Sequence, residues 1–170
     1  MKDSRIDRLL VKMSDGDNAA FEALYLETRR GVFSFLYTYF HNRHDTEDAM
    51  QSTYLKIKRG IHSYRHGSGG VRWILEIAKN HAVDELRRRR SIIDIDALPE
   101  ESYDPDDGGI LDVIERTLTE EEARIVTLHV IWRYKHREIA LALGMPVGTV
   151  TSKYKRAIDK LRLRMKEVDK

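Results

Sequence analysis

The segment Tyr134-Lys135-His136-Arg137-Glu138-Ile139-Ala140-Leu141-Ala142-Leu143-Gly144-Met145-Pro146-Val147-Gly148-Thr149-Val150 reads as helix, tight turn, helix. Gly144 suits the left-handed position that ends a helix, and Pro146 suits the first turn of the next one, where a missing N–H costs nothing. Beyond the turn, Val147, Val150, Tyr154, Ala157, Ile158, Leu161 and Met165 recur at spacings of three and four. That stripe is expected to pack on the helices before it. The opposite side carries Thr151, Ser152, Lys155, Arg156, Asp159 and Arg162, with Lys153 at the border. A helix that enters the major groove needs hydrogen-bonding side chains toward base edges and cations toward phosphates in its N-terminal half. Thr151, Ser152, Lys153, Lys155 and Arg156 meet that requirement, so this pair of helices is read as a DNA-binding helix-turn-helix. An amphipathic hairpin with a solvated basic face would share the periodicity, but not this turn chemistry.

Outward from this motif, helices are expected over about Leu111–Thr117, Glu120–Trp132, Lys135–Leu143 and Val147–Glu167. The stretch before them is different in kind. Residues 91–112 hold no Lys or Arg and 8 Asp and Glu, with Pro99, Pro105, Gly108 and Gly109 among them. Residues 1–90 carry 17 Lys and Arg against 12 Asp and Glu, and residues 113–170 carry 13 against 8. Two basic blocks therefore flank an acidic, turn-rich segment too long for a connection inside one compact domain. The expected fold is all-α. Two small helical domains, residues 1–90 and 113–170, are joined by an acidic linker over 91–112, and the second is a four-helix, winged-helix-like helix-turn-helix domain.

In the first domain, the polar start Ser14–Asn18 precedes an apolar helical stripe of Phe21, Leu24, Tyr25, Val32, Phe33 and Leu36. A second helix is expected from near Asp45 to about Arg59, and a third over Val71–Arg90 after the breaker His66-Gly67-Ser68-Gly69-Gly70. On the second, Asp48, Gln51, Ser52 and Leu55 share a face that could dock on a basic protein surface. Acids favouring the macrodipole at a capped helix start account for Asp45 to Asp48 equally well. On the third, Trp73, Ile74, Ile77, Ala78, Ala82 and Leu86 form the core stripe. Across from them, Arg72, Lys79 and Arg87 can follow phosphates, and Asn80 can read or cradle a base. Tyr64, beside the glycine loop, could receive an unstacked base. The alternative is a solvated basic face.

Three segments in order carry a wider likeness. They are Asp45-Thr46-Glu47-Asp48-Ala49-Met50-Gln51-Ser52-Thr53-Tyr54-Leu55; Trp73-Ile74-Leu75-Glu76-Ile77-Ala78-Lys79-Asn80 with Asp84-Glu85-Leu86-Arg87-Arg88; and Glu138-Ile139-Ala140 with Pro146-Val147-Gly148-Thr149-Val150 and Ser152. Together they closely resemble the extracytoplasmic-function sigma factors over nearly the whole chain. The resemblance implies a sigma region 2 in the first domain, a region 4 in the second, and partners in RNA polymerase core (the β′ clamp and the β flap), promoter DNA and an anti-sigma factor. It implies core binding through Asp45, Glu47, Asp48, Gln51 and Leu55, capture of the −10 non-template strand by Lys56, Arg65, Arg72, Trp73, Lys79 and Asn80, and −35 reading by Thr151, Ser152, Lys153, Lys155 and Arg156. Ser52 and Thr151 depart from it, since the family often has an acid and an arginine there.

Other classes fare worse. The chain has no cysteine, so it holds no disulfide or thiolate-bound metal. No run approaches the roughly 20 apolar residues of a membrane span, and Met1–Leu10 lacks a signal-peptide core, so a cytoplasmic protein is expected. There is no Walker loop or His-Glu-x-x-His, and the neighbours of the pairs His41/His44 and His62/His66 supply no clear set of carboxylates to orient them around a metal, so neither an enzyme, a metal nor a cofactor is expected. A helix-turn-helix repressor or activator is the competing reading; it requires a dimer on a palindrome and no polymerase core.

Overall fold

Two short polar side chains divide the first ninety residues into helices. Asp17 accepts from the N–H groups of Ala19 and Ala20 at 2.9 and 3.3 Å, and Asn42 accepts from the N–H of Asp45 at 2.8 Å; each satisfies donors that a helix start leaves open. His41, in the left-handed region with φ 56°, turns the chain between them. The computed structural model describes residues 3–92 and 110–168, and its described residues are helices and turns throughout, without a strand. They fall into two compact units, one on each side of residues 93–109.

The first unit consists of α1 (Asp3–Ser14), α2 (Asn18–Phe40), α3 (Arg43–Gly60), a single 3-10 turn (Ile61–Ser63) and α4 (Gly70–Ile92). α1 packs on α2 and α4, and α3 packs on both α2 and α4. Ile6 and Leu10 of α1, Leu24, Val32 and Leu36 of α2, Ile57 of α3 and Ile74 of α4 are fully buried between them. A polar contact sits inside this core: the Thr28 and Tyr54 hydroxyls lie 2.6 Å apart while Thr28 also donates to the Leu24 carbonyl at 2.7 Å. Burial pushes the Tyr54 hydroxyl well above its ordinary range, so it stays a neutral donor.

Three helices were expected here and four are present. Ile6, Leu10 and Met13 are buried at i, i+4 and i+7, and the charges between them form the solvated face of an amphipathic helix. The stripe has only three apolar points, which is why the segment reads as mere alternation. α4 also buries Val71 and Leu75 beyond the expected stripe, while Trp73, Ile77 and Leu86 are only half-buried.

The second unit consists of α5 (Ile110–Thr117), α6 (Glu120–Val130), α7 (His136–Leu143) and α8 (Val147–Val168). Thr119 and Glu122 form a reciprocal capping box at the start of α6. The Glu122 carboxylate, nearly buried, also takes Lys160 of α8 at 2.8 Å. Burial opposes ionisation of Glu122, but the Lys160 ammonium and the Thr119 N–H outweigh it and hold its pKa below the ordinary value. Trp132, Ile125, Leu128, Ile139 and Val150 fill the core, and Ile114, Leu118, Ala123, Val126 and Ala157 form a second cluster roofed by Tyr154 and Leu161. Gly144 takes the expected left-handed position, φ 66°. Of the linker expected over 91–112, Ser91 and Ile92 end α4 and Ile110 begins α5, while residues 93–109 lie outside the described ones.

Two positions on the expected buried stripe of α8 are corrected. Val147 is 42% exposed and Met165 is exposed further along. Val147 sits at the helix start, one turn before the interhelical contact at Val150, and Met165 lies past Leu161, where α5 and α6 no longer cover α8.

Candidate functional site

On α3 the five residues expected to face a protein partner separate into two groups. Asp48, Gln51 and Leu55 form an exposed ridge at three- and four-residue spacing, with Leu55 53% exposed. Glu47 pairs with Arg43 one turn earlier at 2.9 Å and remains accessible. Asp45 is engaged within the unit: Arg89 of α4 contacts its carboxylate at 2.6 and 3.1 Å, and the Asn42 amide donates to it at 2.8 Å. The same guanidinium contacts Glu85 at 3.0 Å and lies 5.6 Å from the centre of the Phe40 ring. Hydrogen bonds from Arg89 hold the Asp45 pKa below the ordinary carboxylate value. Those from Arg88 and Arg89 pull Glu85 down to about 2. Asp45 therefore ties the start of α3 to the end of α4, a role that the sequence alone does not reveal.

The residues expected on the other surface lie on α4, the loop before it and the end of α3. Arg65 and Asn80 are exposed, Arg72 donates back to the Ser68 carbonyl at 2.9 Å, and Lys79 is half-buried. Lys56 reaches across from α3 to His81 Nδ1 at 3.2 Å. Burial and the Lys56 charge together push the His81 pKa down, so this ring is neutral near pH 7. Trp73 is half-buried with its ring 5.1 Å from that of Tyr64.

Two residues absent from the sequence reading hold this loop. Asp7, buried on α1, accepts from the Tyr64 hydroxyl and from the Gly67 N–H at 3.0 Å, and its second oxygen lies 3.0 Å from His66 Nε2. Asp3, one turn earlier, accepts from the Val71 N–H at 2.9 Å and so caps α4 from outside it. Burial and the Asp7 carboxylate raise the Tyr64 pKa, so its hydroxyl keeps the proton it donates. Tyr64, expected to receive an unstacked base, is thus anchored through its hydroxyl by Asp7. Gly70 allows the close approach: a Cβ there would lie 3.0 Å from the Asp7 backbone nitrogen and from a Leu10 methyl. An acid at Asp3 and another at Asp7, four residues apart around Ile6, was the available signal.

The α8 face is more open. Thr151, Ser152, Lys155 and Arg156 are exposed at its N-terminal half. Lys153 is 23% exposed and pairs with Glu121 of α6 at 2.6 Å. His136, at the start of α7, lies 3.0 Å through Nδ1 from the Thr151 hydroxyl. Its ring packs against His129 and Tyr154 at 5.2 and 5.0 Å. Four of the five expected residues therefore form one polar and cationic surface on consecutive turns of a single helix, and Lys153 braces that helix against α6.

Two family models match, one on each unit: Sigma-70 region 2 over residues 24–92 and Sigma-70, region 4 over residues 111–161. The chain is 29% identical to the ECF RNA polymerase sigma-E factor of Escherichia coli strain K12, covering 92% of this chain and 93% of that one. The chain belongs to the extracytoplasmic-function sigma factors. The same figures relate this sigma factor to the sigma-E factor of Salmonella typhimurium strain LT2. It is 27% identical to the RNA polymerase sigma-H factor of Pseudomonas aeruginosa, over 88% of each chain. Among solved structures, the fold of this sigma factor is similar to that of CnrH in complex with the cytosolic domain of CnrY, with TM-score 0.67 and 16% identity, covering 96% of this chain and 98% of that one. It is also similar to the sigma factor RpoE of Bartonella quintana in complex with the anti-sigma factor NepR, with TM-score 0.68 and 20% identity, over 86% and 96%.

Proposed function

We propose that this sigma factor uses residues 1–90 to bind RNA polymerase core and open the −10 element, and residues 113–170 to read the −35 element. The observation that carries this division is the match of one sigma-70 region to each compact unit, in the order region 2 then region 4. Core binding is assigned to the α3 ridge of Asp48, Gln51 and Leu55, with Glu47 beside it. An exposed leucine among acidic and amide groups suits a docking patch with an apolar anchor and a charged rim. Asp45 acts at one remove, by fixing α3 against α4 through Arg89.

The −10 strand is assigned to the clamped loop and α4. Arg65, Arg72 and Lys56 supply phosphate contacts, Asn80 is an exposed hydrogen-bonding group for a base, and the half-buried Tyr64–Trp73 pair supplies aromatic surface for stacking. The −35 duplex is assigned to Thr151, Ser152, Lys155 and Arg156 on α8, with Lys153 as a brace. In this reading the chain carries out no bond chemistry itself and works in the cytoplasm; no helix among the described residues is long and apolar enough to cross a membrane. An anti-sigma factor is a further partner, as it is for the Bartonella quintana RpoE.

Run-off transcription with polymerase core, this chain and a pool of promoter fragments tests the reading. Initiation from a defined subset only when both proteins are present supports it. A chain that neither binds core nor supports initiation, and instead shifts duplex DNA alone as a dimer, would be a helix-turn-helix regulator.

A further inference from the structure

The hydroxyl of Thr151 is engaged twice within the fold. Its oxygen lies 3.0 Å from the Val147 carbonyl, to which it donates, and 3.0 Å from His136 Nδ1. A hydroxyl has one proton and two lone pairs, so its proton and one of its acceptor sites are spent within the fold. His136 holds this arrangement from α7, with its own ring fixed against His129 and Tyr154. Thr151 is nonetheless exposed. With the oxygen bonded back onto the first turn of α8, the γ-methyl is the group of this exposed side chain that has no bond within the fold.

A second apolar group lies on the same face. Val147 is one turn earlier, at i−4 from Thr151, and is 42% exposed instead of packed against the preceding helix. Between them, Gly148 has nothing within 4 Å of where a Cβ would stand beyond its chain neighbours and its own helix backbone. Glycine in a helix costs about 1 kcal/mol relative to alanine, and packing within the protein does not call for it here. Its lack of a side chain leaves room for an outside surface to come close to the backbone. Next in line are Lys155 and Arg156, the cations of the same surface.

Apolar side-chain groups on a helix that lies in the major groove contact one feature of a base pair, the 5-methyl group of thymine. We propose that Thr151 and Val147 are specificity residues that read thymine methyl groups in the −35 element, and that His136 is a positioning residue that orients Thr151 for it. This rests on the sigma reading above, with α8 in the major groove. It assigns recognition at these positions to methyl packing and charge to Lys155 and Arg156; Ser152 donates its own hydroxyl proton to the Thr149 carbonyl at 3.1 Å and is left as an acceptor.

The test uses holoenzyme, assembled from core and the full chain, on a promoter recovered by run-off selection. Each thymine of its −35 element is replaced in turn by deoxyuridine, which removes only the methyl group. The wild-type holoenzyme is expected to lose about fourfold in initiation at one or two neighbouring thymines, the effect of roughly one buried methyl. Thr151→Ser keeps the hydroxyl and its two bonds but drops the methyl, so its rate at the thymine under residue 151 becomes the same with or without the base methyl. Thr151→Val keeps a methyl but drops the hydroxyl that His136 holds, so its sensitivity falls between those of wild type and Thr151→Ser, and sensitivity equal to wild type removes the positioning role of His136. Val147→Ala loses it at the adjacent thymine. Both Thr151 variants are small changes at an exposed site, and their melting temperatures confirm that they fold. A wild type indifferent to every replacement, a −35 element without thymine, or Thr151→Ser as sensitive as wild type overturns the methyl reading while initiation on the unmodified template leaves the sigma reading standing. No core-dependent initiation on any unmodified template defeats the sigma reading, and the methyl reading with it.

Discussion

On α3, α4 and the loop between them, many of the polar groups expected to meet a partner are already bonded within the same unit: Asp45 to Arg89, Arg72 to Ser68, Lys56 to His81 and Tyr64 to Asp7. On the N-terminal half of α8 only Lys153 is held by an ion pair with another helix, and Ser152, Lys155 and Arg156 stand exposed. The difference follows from what each surface must do. A strand that has left the duplex is flexible, so the protein supplies the rigidity by bracing a loop in advance; duplex DNA is stiff, and a helix with exposed cations can meet it with little bracing beyond that of Thr151 by His136. The first surface is therefore sensitive to residues behind it, and the second mainly to residues on it.

The largest effect expected is on the α3 ridge, where an exposed side chain is offered to a protein. Leu55→Asp puts a charge where an apolar anchor is assigned, and loss of one interface hot spot weakens binding by about 30-fold or more. Core binding, measured by competition for polymerase, should fall by that order while the melting temperature stays close to wild type, because Leu55 is more than half exposed. A large drop in melting temperature with unchanged core affinity would move Leu55 from the interface to the fold.

Asp7→Ala breaks the comparison from the other side, since this residue sits behind the loop and touches no expected partner. It leaves the Tyr64 hydroxyl and the Gly67 N–H without their acceptor. The cost should be about 2 kcal/mol of stability, the usual penalty for stranding partly buried polar groups. Open-complex formation at a −10 element, followed by permanganate reactivity, should fall more than binding of a −35 duplex by the same protein. If both fall together, the loop is not braced for the strand in the way proposed.

How much of this was legible in the sequence depended on whether a residue's partner lies near it in the chain. Gly144 and Pro146 delimit the turn of the helix-turn-helix by local backbone chemistry, and the structure places them as expected. The three longest helices likewise follow from their apolar spacing. Asp45 and Arg89 are 44 positions apart, and Asp7 and Tyr64 are 57 apart, so their engagement depends on packing that no local pattern records. An acidic side chain at a helix start looks the same whether it faces a partner, the macrodipole or an arginine on another helix. α1 fell between these cases: its pattern is local, but three apolar points are too few to stand out against the charges around them.

The carboxylates engaged on α4 give the same contrast a pH signature. Glu85 has an ordinary value of 4.5 and is held at about 2 in the fold by its bonds to Arg88 and Arg89. Asp45 is shifted in the same direction by Arg89. A carboxylate with a depressed folded pKa contributes stability in full above its unfolded pKa and loses it as pH falls toward the folded one. Urea melts of the first unit should therefore show stability falling between about pH 4.5 and 2, and Glu85→Gln should flatten that fall while lowering stability at pH 7. A variant with the wild-type acid profile would show that the Arg88 and Arg89 contacts to Glu85 carry no weight in solution.

The smallest expected effect separates two cations three residues apart on α8. Arg156 is exposed on the proposed reading face, so Arg156→Met should lower the slope of log affinity against log salt by about 1, the share of one phosphate contact. Lys153 is held by Glu121 at 2.6 Å and is mostly covered. Lys153→Met should leave that slope nearly unchanged and cost stability of at most about 1 kcal/mol, the range of a partly exposed ion pair. The two variants remove the same formal charge from the same helix, so any difference between their slopes reports where the charge was directed. Equal slopes would mean that Lys153 leaves Glu121 to meet phosphate, and the brace assigned to it would be a resting contact that DNA displaces.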